Sequence, residues 1–387
     1  MTVSAKARVA VTASRRRALE RRDGTQGPLI SIAGTPLVNF CSNDYLGLAS
    51  DPRLAAAAAE SAAQYGLGAG AAGLLSGWAE PHHELATALA DYMGRDRALL
   101  FSSGYLANLG TLSTFADRHS EIYQDRLNHA SLIDGVRLSG AHSVRYRHAD
   151  AADLESRLRN ARAQSRLLVT DTVFSMDGDS APLKALAAIA HQHDALLICD
   201  DAHGFGVAGQ GRGAVVEQGL SQEDAPLVMV TFGKALGTTG AAVVGREDLI
   251  ETLLQHARPF IYDTALPPML ASATLAALRI IQQEPQLIQT LHARIRYFSE
   301  TMLAVGLTPS GLNSPIQPIM LGADDTALHA AGLLRAAGFY VRAIRPPTVP
   351  EGTARLRICL SAAHSEAQID ALVSTLKRVL PTSASGA

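Results

Sequence analysis

From about residue 97 the chain alternates unbroken apolar runs with segments of helical spacing. RALLF (97–101) is short and apolar, and GYLANLGTLSTFA (104–116) repeats its apolar residues with the period of a helix. RLLVTDTVF (166–174) predicts a strand, PLKALAAIAHQHD (182–194) a helix opened by proline, and ALLICDD (195–201) another strand. LVMVTFG (227–233) and AAVVG (241–245) complete the series. Continuous apolar strands separated by helices predict an α/β fold whose central sheet is mostly parallel and covered by helices on both faces. In such a sheet, ligands gather at the carboxyl ends of the strands. After about residue 285 helices such as ALHAAGLLRAAG alternate with fewer strands, YVRAI and ARLRICL, and the chain closes on the amphipathic EAQIDALVSTLKRVL. The expected division is an N-terminal segment (1–40), a large α/β domain (41–285) and a smaller C-terminal α+β domain (286–387).

Composition narrows the function classes. A chain of 387 residues that is 47% hydrophobic and 18% charged has the balance of a soluble globular protein with a large core. A net charge of −2 supplies no electrostatic footprint for nucleic acid. No run approaches the roughly 18 apolar residues of a membrane span. Cys41, Cys199 and Cys359 are few, odd in number and far apart. That pattern predicts a reducing, cytoplasmic setting with neither a disulfide framework nor a metal site. Residues 1–19 contain no acid and include Arg15-Arg16-Arg17. This fits either an organelle transit peptide or, the preferred reading, a basic first helix on a cytosolic protein.

Candidate chemistry sits at the strand ends. In LLICDDAHGFG, Asp200 and Asp201 follow a buried strand, and His203 comes three residues after Asp200. Asp200 is either a turn former or a carboxylate that holds a proton on a basic nitrogen heterocycle. Neighbours on an extended strand face opposite ways, so the two aspartates need not share a role. In FSSGYLAN, small residues lead into a helix whose first N–H groups form a natural phosphate cradle, although serine and glycine also start helices as simple caps. GLGAGAAGLLSG matches G-x-G-x-x-G through Gly68, Gly70 and Gly73, but it follows the helix LAAAAAESAAQY rather than a strand. The context of a dinucleotide-binding turn is therefore missing, and the segment reads as a flexible loop near the site. His129 in DRLNHASL is a helix cap or a flat stacking partner, and Ser175 precedes the turn MDGD. Lys234 in VTFGKALG is an ammonium at the end of a buried strand, a placement that costs several kcal/mol unless the group reaches solvent or serves chemistry. Taken together, a phosphate cradle, a stacking ring, a ring-nitrogen acid and an isolated lysine describe pyridoxal 5'-phosphate.

SNDYLGL, VFSMDGDSAPL, DDAHGFGV, VTFGKALG and IRPPTVPEGTARLR together resemble the α-oxoamine synthases, pyridoxal-phosphate enzymes of fold type I. In their detailed form these motifs are similar to the 8-amino-7-oxononanoate synthases of biotin biosynthesis. The resemblance runs from about residue 38 to the C-terminal helix. It implies decarboxylative condensation of L-alanine with a pimeloyl thioester carried on acyl carrier protein or coenzyme A, in a homodimer. Sister enzymes using glycine or serine share the lysine and the DDAHG-like segment and form the alternative reading. A nicotinamide oxidoreductase built on GAGAAG and a non-catalytic binding protein are the readings from other classes. The resemblance further implies that Lys234 forms the Schiff base, Asp200 partners the pyridine nitrogen, His203 contacts the phenolic oxygen and His129 stacks on the ring. Gly104, Tyr105 and Thr231 would hold the phosphate, and Ser175 would also bind the cofactor. Arg357 would clamp the amino-acid carboxylate by a bidentate contact. Asn43 and Thr348 would line the substrate pocket, and counting back from SNDYLGL selects Arg17 as a second substrate arginine. GAGAAGLLSGW departs from the serine-richer family form, and Trp78 stands where a smaller residue is usual.

Overall fold

The computed structural model describes residues 13–380. The chain divides into two compact units. Among the described residues, one comprises 13–42, Met176–Gly178 and 292–380, and the other Asn43–Ser175 with Asp179–Leu291.

The larger unit is built on a seven-stranded sheet. Its order is Arg97–Phe101, Ala241–Gly245, Leu227–Thr231, Leu196–Asp200, Ser165–Asp171, Ser120–Asp125 and His142–Tyr146. Six of these strands share one direction, and Ala241–Gly245 runs antiparallel to both neighbours. The exception has a simple cause. Only residues 232–240 separate Thr231 from Ala241, too few for the dozen or more that a parallel crossover needs. Lys234 lies in that short connector. Leu99, Phe101, Ile122, Leu167, Val169, Ile198, Met229 and Val243 from the strands pack with Leu112, Leu132, Val136, Ile250 and Leu253 from helices in one buried cluster. Each such side chain stabilises the fold by roughly 1.5–3 kcal/mol. The α/β class with a mostly parallel sheet is therefore as the apolar runs predict.

Ser120–Asp125 is a strand that the apolar pattern does not predict. All six of its residues are buried, yet four are polar and each finds a partner. Tyr123 donates to Glu121 (2.8 Å), Gln124 donates to Ser143 (2.7 Å), and Ser120 donates to Asp117 (3.0 Å). Asp125 is treated below. Hydrogen bonding here replaces the apolar signature.

The smaller unit carries two sheets. One orders Arg22–Asp23, Leu29–Ile32, Thr35–Asn39 and Phe339–Tyr340; the other orders Ile316–Gly322, Ala354–Cys359 and Arg342–Ile344. The N-terminal segment does not stand apart as the sequence suggests. Thr35–Asn39 pairs in parallel with Phe339–Tyr340, and the Phe40 carbonyl accepts the Cys359 N–H at 2.8 Å. YVRAI, expected as one strand, is split at Val341, with its two ends in different sheets. The basic first helix expected at the N-terminus falls mostly on residues outside those described. Ala13–Arg15 form a single 3₁₀ turn, and Arg15 pairs with Asp324 at 3.0 Å. Among the described residues, no helix is long and apolar enough to cross a membrane, and the three cysteines are unpaired.

Candidate active site

Strand register builds the site. Asp171 and Asp200 are paired across adjacent parallel strands, and Asp200 stands beside Met229 of the next strand. Phe101, Asp125, Asp171, Asp200 and Thr231 are the last residues of parallel strands, so they lie at one edge of the sheet. A cavity opens there, lined by Gly104, Tyr105, His129, Ser131, Asp171, Asp200, Ala202, His203, Met229, Thr231 and Lys234.

Asp200 is buried, and each of its oxygens accepts a hydrogen bond. Oδ1 takes the Ala202 N–H at 3.0 Å, and Oδ2 takes Asn108 Nδ2 at 2.7 Å. Asn108 also donates to Ser131 Oγ at 2.9 Å, and that hydroxyl is 2.7 Å from His129 Nδ1. The Ser131 backbone N–H donates to His129 Nδ1 at 3.3 Å, so that nitrogen is an acceptor for the Ser131 hydroxyl too, which places the imidazole proton on Nε2. Lost hydration lowers the proton affinity of His129, opposed by Asp200 and assisted by Lys234. The result is a neutral ring fixed in one tautomer. His129 caps the helix Ala130–Ser139, and its own N–H donates to Asp171 Oδ2 at 2.6 Å. Asp171 is driven well above the usual carboxylate range by burial and by the charge of Asp200.

Asp201 faces away from the cavity. Thr172 and the Ala214 N–H donate to its Oδ1, and burial pushes its pKa up to about 7 despite those bonds. It is a structural carboxylate, clasped by glycines. A Cβ on Gly213, whose φ is +105°, would lie 2.0 Å from Asp201 Oδ2. Gly213→Ala is therefore expected to cost about 3 kcal/mol or more. A lowered unfolding temperature would check this, and an unchanged one would contradict the packing.

The phosphate cradle expected at FSSGYLAN is a helix start, Gly104–Phe115. Ser103 caps it by accepting the Leu106 N–H at 3.2 Å. The first amides of that helix, those of Gly104 and Tyr105, have no intrahelical acceptor. A Cβ on Gly104 would already stand 3.3 Å from Met229 and 3.6 Å from Thr231, so glycine lets the helix start approach the next strand end closely. The Tyr105 hydroxyl donates to Asp134, and its ring meets His129 edge-on, centroids 6.4 Å apart. The Tyr45 hydroxyl bridges Asn43 Oδ1 (3.2 Å) and His203 Nδ1 (2.8 Å).

These residues fit pyridoxal phosphate. The donor set holds an anion at one end, a lysine amine, a buried carboxylate for a ring nitrogen, and a flat neutral ring. The larger unit thus brings together Gly104, Tyr105, His129, Asp200, His203, Thr231 and Lys234, with Asn43 one hydroxyl away from His203. Ser175 lies in the hairpin Val173–Ser180, outside the cavity lining. Arg17, Thr348 and Arg357 belong to the other unit. There Arg17 donates to Thr348 Oγ1 at 3.4 Å, and buried Arg357 donates to Cys359 Sγ at 2.9 Å. Sequence reading misses Asn108, Ser131, Tyr45 and Asp171. The available signal was Asn108, an amide on a helix whose other buried positions are Ala107, Gly110, Thr111 and Leu112.

In the loop with Gly68, Gly70 and Gly73, expected to be flexible, the stretch 71–77 is tied by backbone hydrogen bonds. Leu75 N and Gly77 N both bond the Ala72 carbonyl (3.0 and 3.1 Å), and Ala265 N bonds that of Ala71 (3.0 Å). The loop follows the helix Pro52–Tyr65 rather than a strand, so the dinucleotide reading fails on context.

Comparison with known proteins places these features. The family model described as aminotransferase class I and II matches residues 35–376. An 8-amino-7-oxononanoate synthase of Methylococcus capsulatus is 50% identical over 363 residues, 94% of each chain. One from Pseudomonas aeruginosa is 51% identical over 355 residues, 92% of this chain and 88% of its own. Among solved structures, a serine palmitoyltransferase from S. paucimobilis with bound PLP superposes with a TM-score of 0.89 at 31% identity, covering 93% of this chain and 92% of that one. An 8-amino-7-oxononanoate synthase from Francisella tularensis superposes at 0.76 and 32% identity, over 88% and 97% of the two chains.

Proposed function

Since this chain belongs to the aminotransferase class I and II family, and pyridoxal phosphate is the cofactor of that fold, we propose that it condenses L-alanine with a pimeloyl thioester, releasing carbon dioxide and the free carrier. The product is 8-amino-7-oxononanoate, and the carrier is acyl carrier protein or coenzyme A. One observation carries the reading: a lysine amine, a buried carboxylate held by Asn108 and a helix start whose first amides lack intrahelical acceptors all line one cavity at the carboxyl edge of the sheet. The half-identity to synthases of this name supports the choice of substrates.

When bound, the cofactor supplies an aldehyde for covalent capture of the amino acid and a protonated ring that takes up electron density from the α-carbon. The chain does the rest. Asp200, fixed by Asn108 and the Ala202 amide, holds the proton on the ring nitrogen. Lys234 removes the alanine α-proton at its ε-nitrogen as general base. His129 would stack on the ring, His203 would contact the phenolic oxygen, and Ser175 would add a further contact to the cofactor. Gly104, Tyr105 and Thr231 anchor the phosphate. By the family resemblance, Arg357 would hold the substrate carboxylate, and Asn43, Thr348 and Arg17 would be further substrate contacts. Positioning of this kind contributes several kcal/mol to the barrier reduction, up to about 7–11 kcal/mol in the best intramolecular cases.

A second reading has a specific observation behind it. The serine palmitoyltransferase superposes more closely than the Francisella enzyme, so a sister synthase acting on serine or glycine shares the scaffold. Both structures are equally distant in sequence, whereas the relatives at half identity carry the alanine-specific name. Purified holoprotein offered alanine, glycine or serine with pimeloyl or palmitoyl thioesters separates the two by product mass. With the pimeloyl donor, alanine is expected to exceed glycine and serine by about 10–200-fold in kcat/KM, the range one methylene or hydroxyl commands. A preference for serine with the long-chain donor would overturn the assignment.

The protein acts as a homodimer in the cytoplasm. Leu67, Leu75 and Tyr262, 72%, 81% and 70% exposed, supply apolar surface for a second copy, and three unpaired cysteines suit a reducing compartment.

A further inference from the structure

His148, just beyond the edge strand His142–Tyr146, has a carboxylate on each ring nitrogen. Nδ1 is 3.0 Å from Asp125 Oδ1, and Nε2 is 2.7 Å from Asp179 Oδ2. Two carboxylate partners require both nitrogens to donate, so the ring is an imidazolium. Burial works against that charge, but the bonds to Asp125 and Asp179 outweigh it and push the pKa up to about 10. The ring also meets Phe174 edge-on, centroids 4.4 Å apart at 85°.

Each carboxylate organises a segment that carries a site residue. Asp125 takes the Leu127 N–H (2.8 Å) on Oδ1 and the Ala149 N–H (2.7 Å) on Oδ2, while its carbonyl takes the Asn128 N–H (3.2 Å). This fixes the turn leading to His129. It also secures Ala149, which holds a φ of +52° that alanine rarely adopts. Asp179 closes the hairpin on the other side. Its carbonyl accepts the Phe174 N–H at 2.9 Å, and Val173 bridges Ser180. Ser175 follows Phe174 directly.

We propose that His148 is a positioning residue, a charged tie that holds the Ser175 hairpin to the turn preceding His129 through Asp179 and Asp125. It touches neither substrate nor cofactor. The proposal rests on the reading of Ser175 as a cofactor ligand, and its test separates the two.

Amide hydrogen exchange over residues 173–180 should be compared in wild type, His148→Gln and the milder Asp179→Asn, all without added cofactor. Loss of a charge-assisted hydrogen bond is expected to speed exchange there by about tenfold or more, with exchange in the central strands unchanged. Pyridoxal phosphate titrations of wild type, His148→Gln, Ser175→Ala and the double variant supply the second readout. His148→Gln is expected to weaken binding by about tenfold alone and to add nothing in the Ser175→Ala background. Unchanged hairpin exchange in both variants, or fully additive losses of affinity, would overturn the tie. If Ser175→Ala alone binds the cofactor normally, the role of Ser175 fails, and the exchange rates still decide for or against His148.

Discussion

Replacing Lys234 with alanine is expected to abolish turnover and to remove the long-wavelength absorption of the bound cofactor. The lysine sits half-buried in the connector between Thr231 and Ala241, lining the same cavity as Asp200 and His129. Nothing else in that lining carries an aliphatic amine, so covalent capture has no substitute. General-base catalysis alone contributes about 10²–10⁴-fold, and loss of the covalent link adds to it. Activity is therefore expected to fall by at least about 10⁴-fold. Steady-state assay with alanine and a pimeloyl thioester, beside a visible spectrum, measures both effects. A variant that keeps its absorption band and more than a trace of turnover would remove Lys234 from its role.

Asp200→Asn is the second large effect, and it separates charge from shape. The amide can still accept the Ala202 N–H through its oxygen. On the other side, Asn108 Nδ2 would face either an amide oxygen or an amide N–H. The fold is expected to survive, while the negative charge that keeps a proton on the ring nitrogen is lost. Breaking a buried charge pair costs about 3–5 kcal/mol, which corresponds to a fall of about 10²–10⁴-fold in α-deuterium exchange from alanine. The nearby Asp171 does not replace the charge, because burial holds it toward its neutral form. Exchange at the wild-type rate would show that Asp200 does not hold the ring proton.

The large-unit sheet was legible where it is apolar. RALLF, ALLICDD, LVMVTFG and AAVVG are strands, and the cavity forms at the edge where the parallel ones among them end, lined by Asp200 and Thr231. Ser120–Asp125 was not legible because its burial is sustained by side-chain hydrogen bonds to Ser143, Asp117 and neighbours rather than by hydrophobicity. The strands Leu29–Ile32 and Thr35–Asn39, which pair with each other, were missed because they are short and half-exposed, and the other partner of Thr35–Asn39, Phe339–Tyr340, lies about 300 residues along the chain. Long-range pairing of that kind leaves no local trace. Within the site, Asp200, His129, His203 and Lys234 stand in compact motifs. Asn108 acts through an interior helix position, and Asp171 reads as an ordinary strand residue before VFSMDGD. Supporting groups such as these are fixed by three-dimensional register, here the pairing of Asp171 with Asp200.

The most direct test of the proposed chemistry is borohydride reduction of the holoprotein, followed by peptide mass mapping. The expected result is a reduced pyridoxyl phosphate adduct on the peptide carrying Lys234, blocked when alanine is added first. An adduct on any other lysine, or an unmodified Lys234 peptide in protein saturated with cofactor, would contradict it.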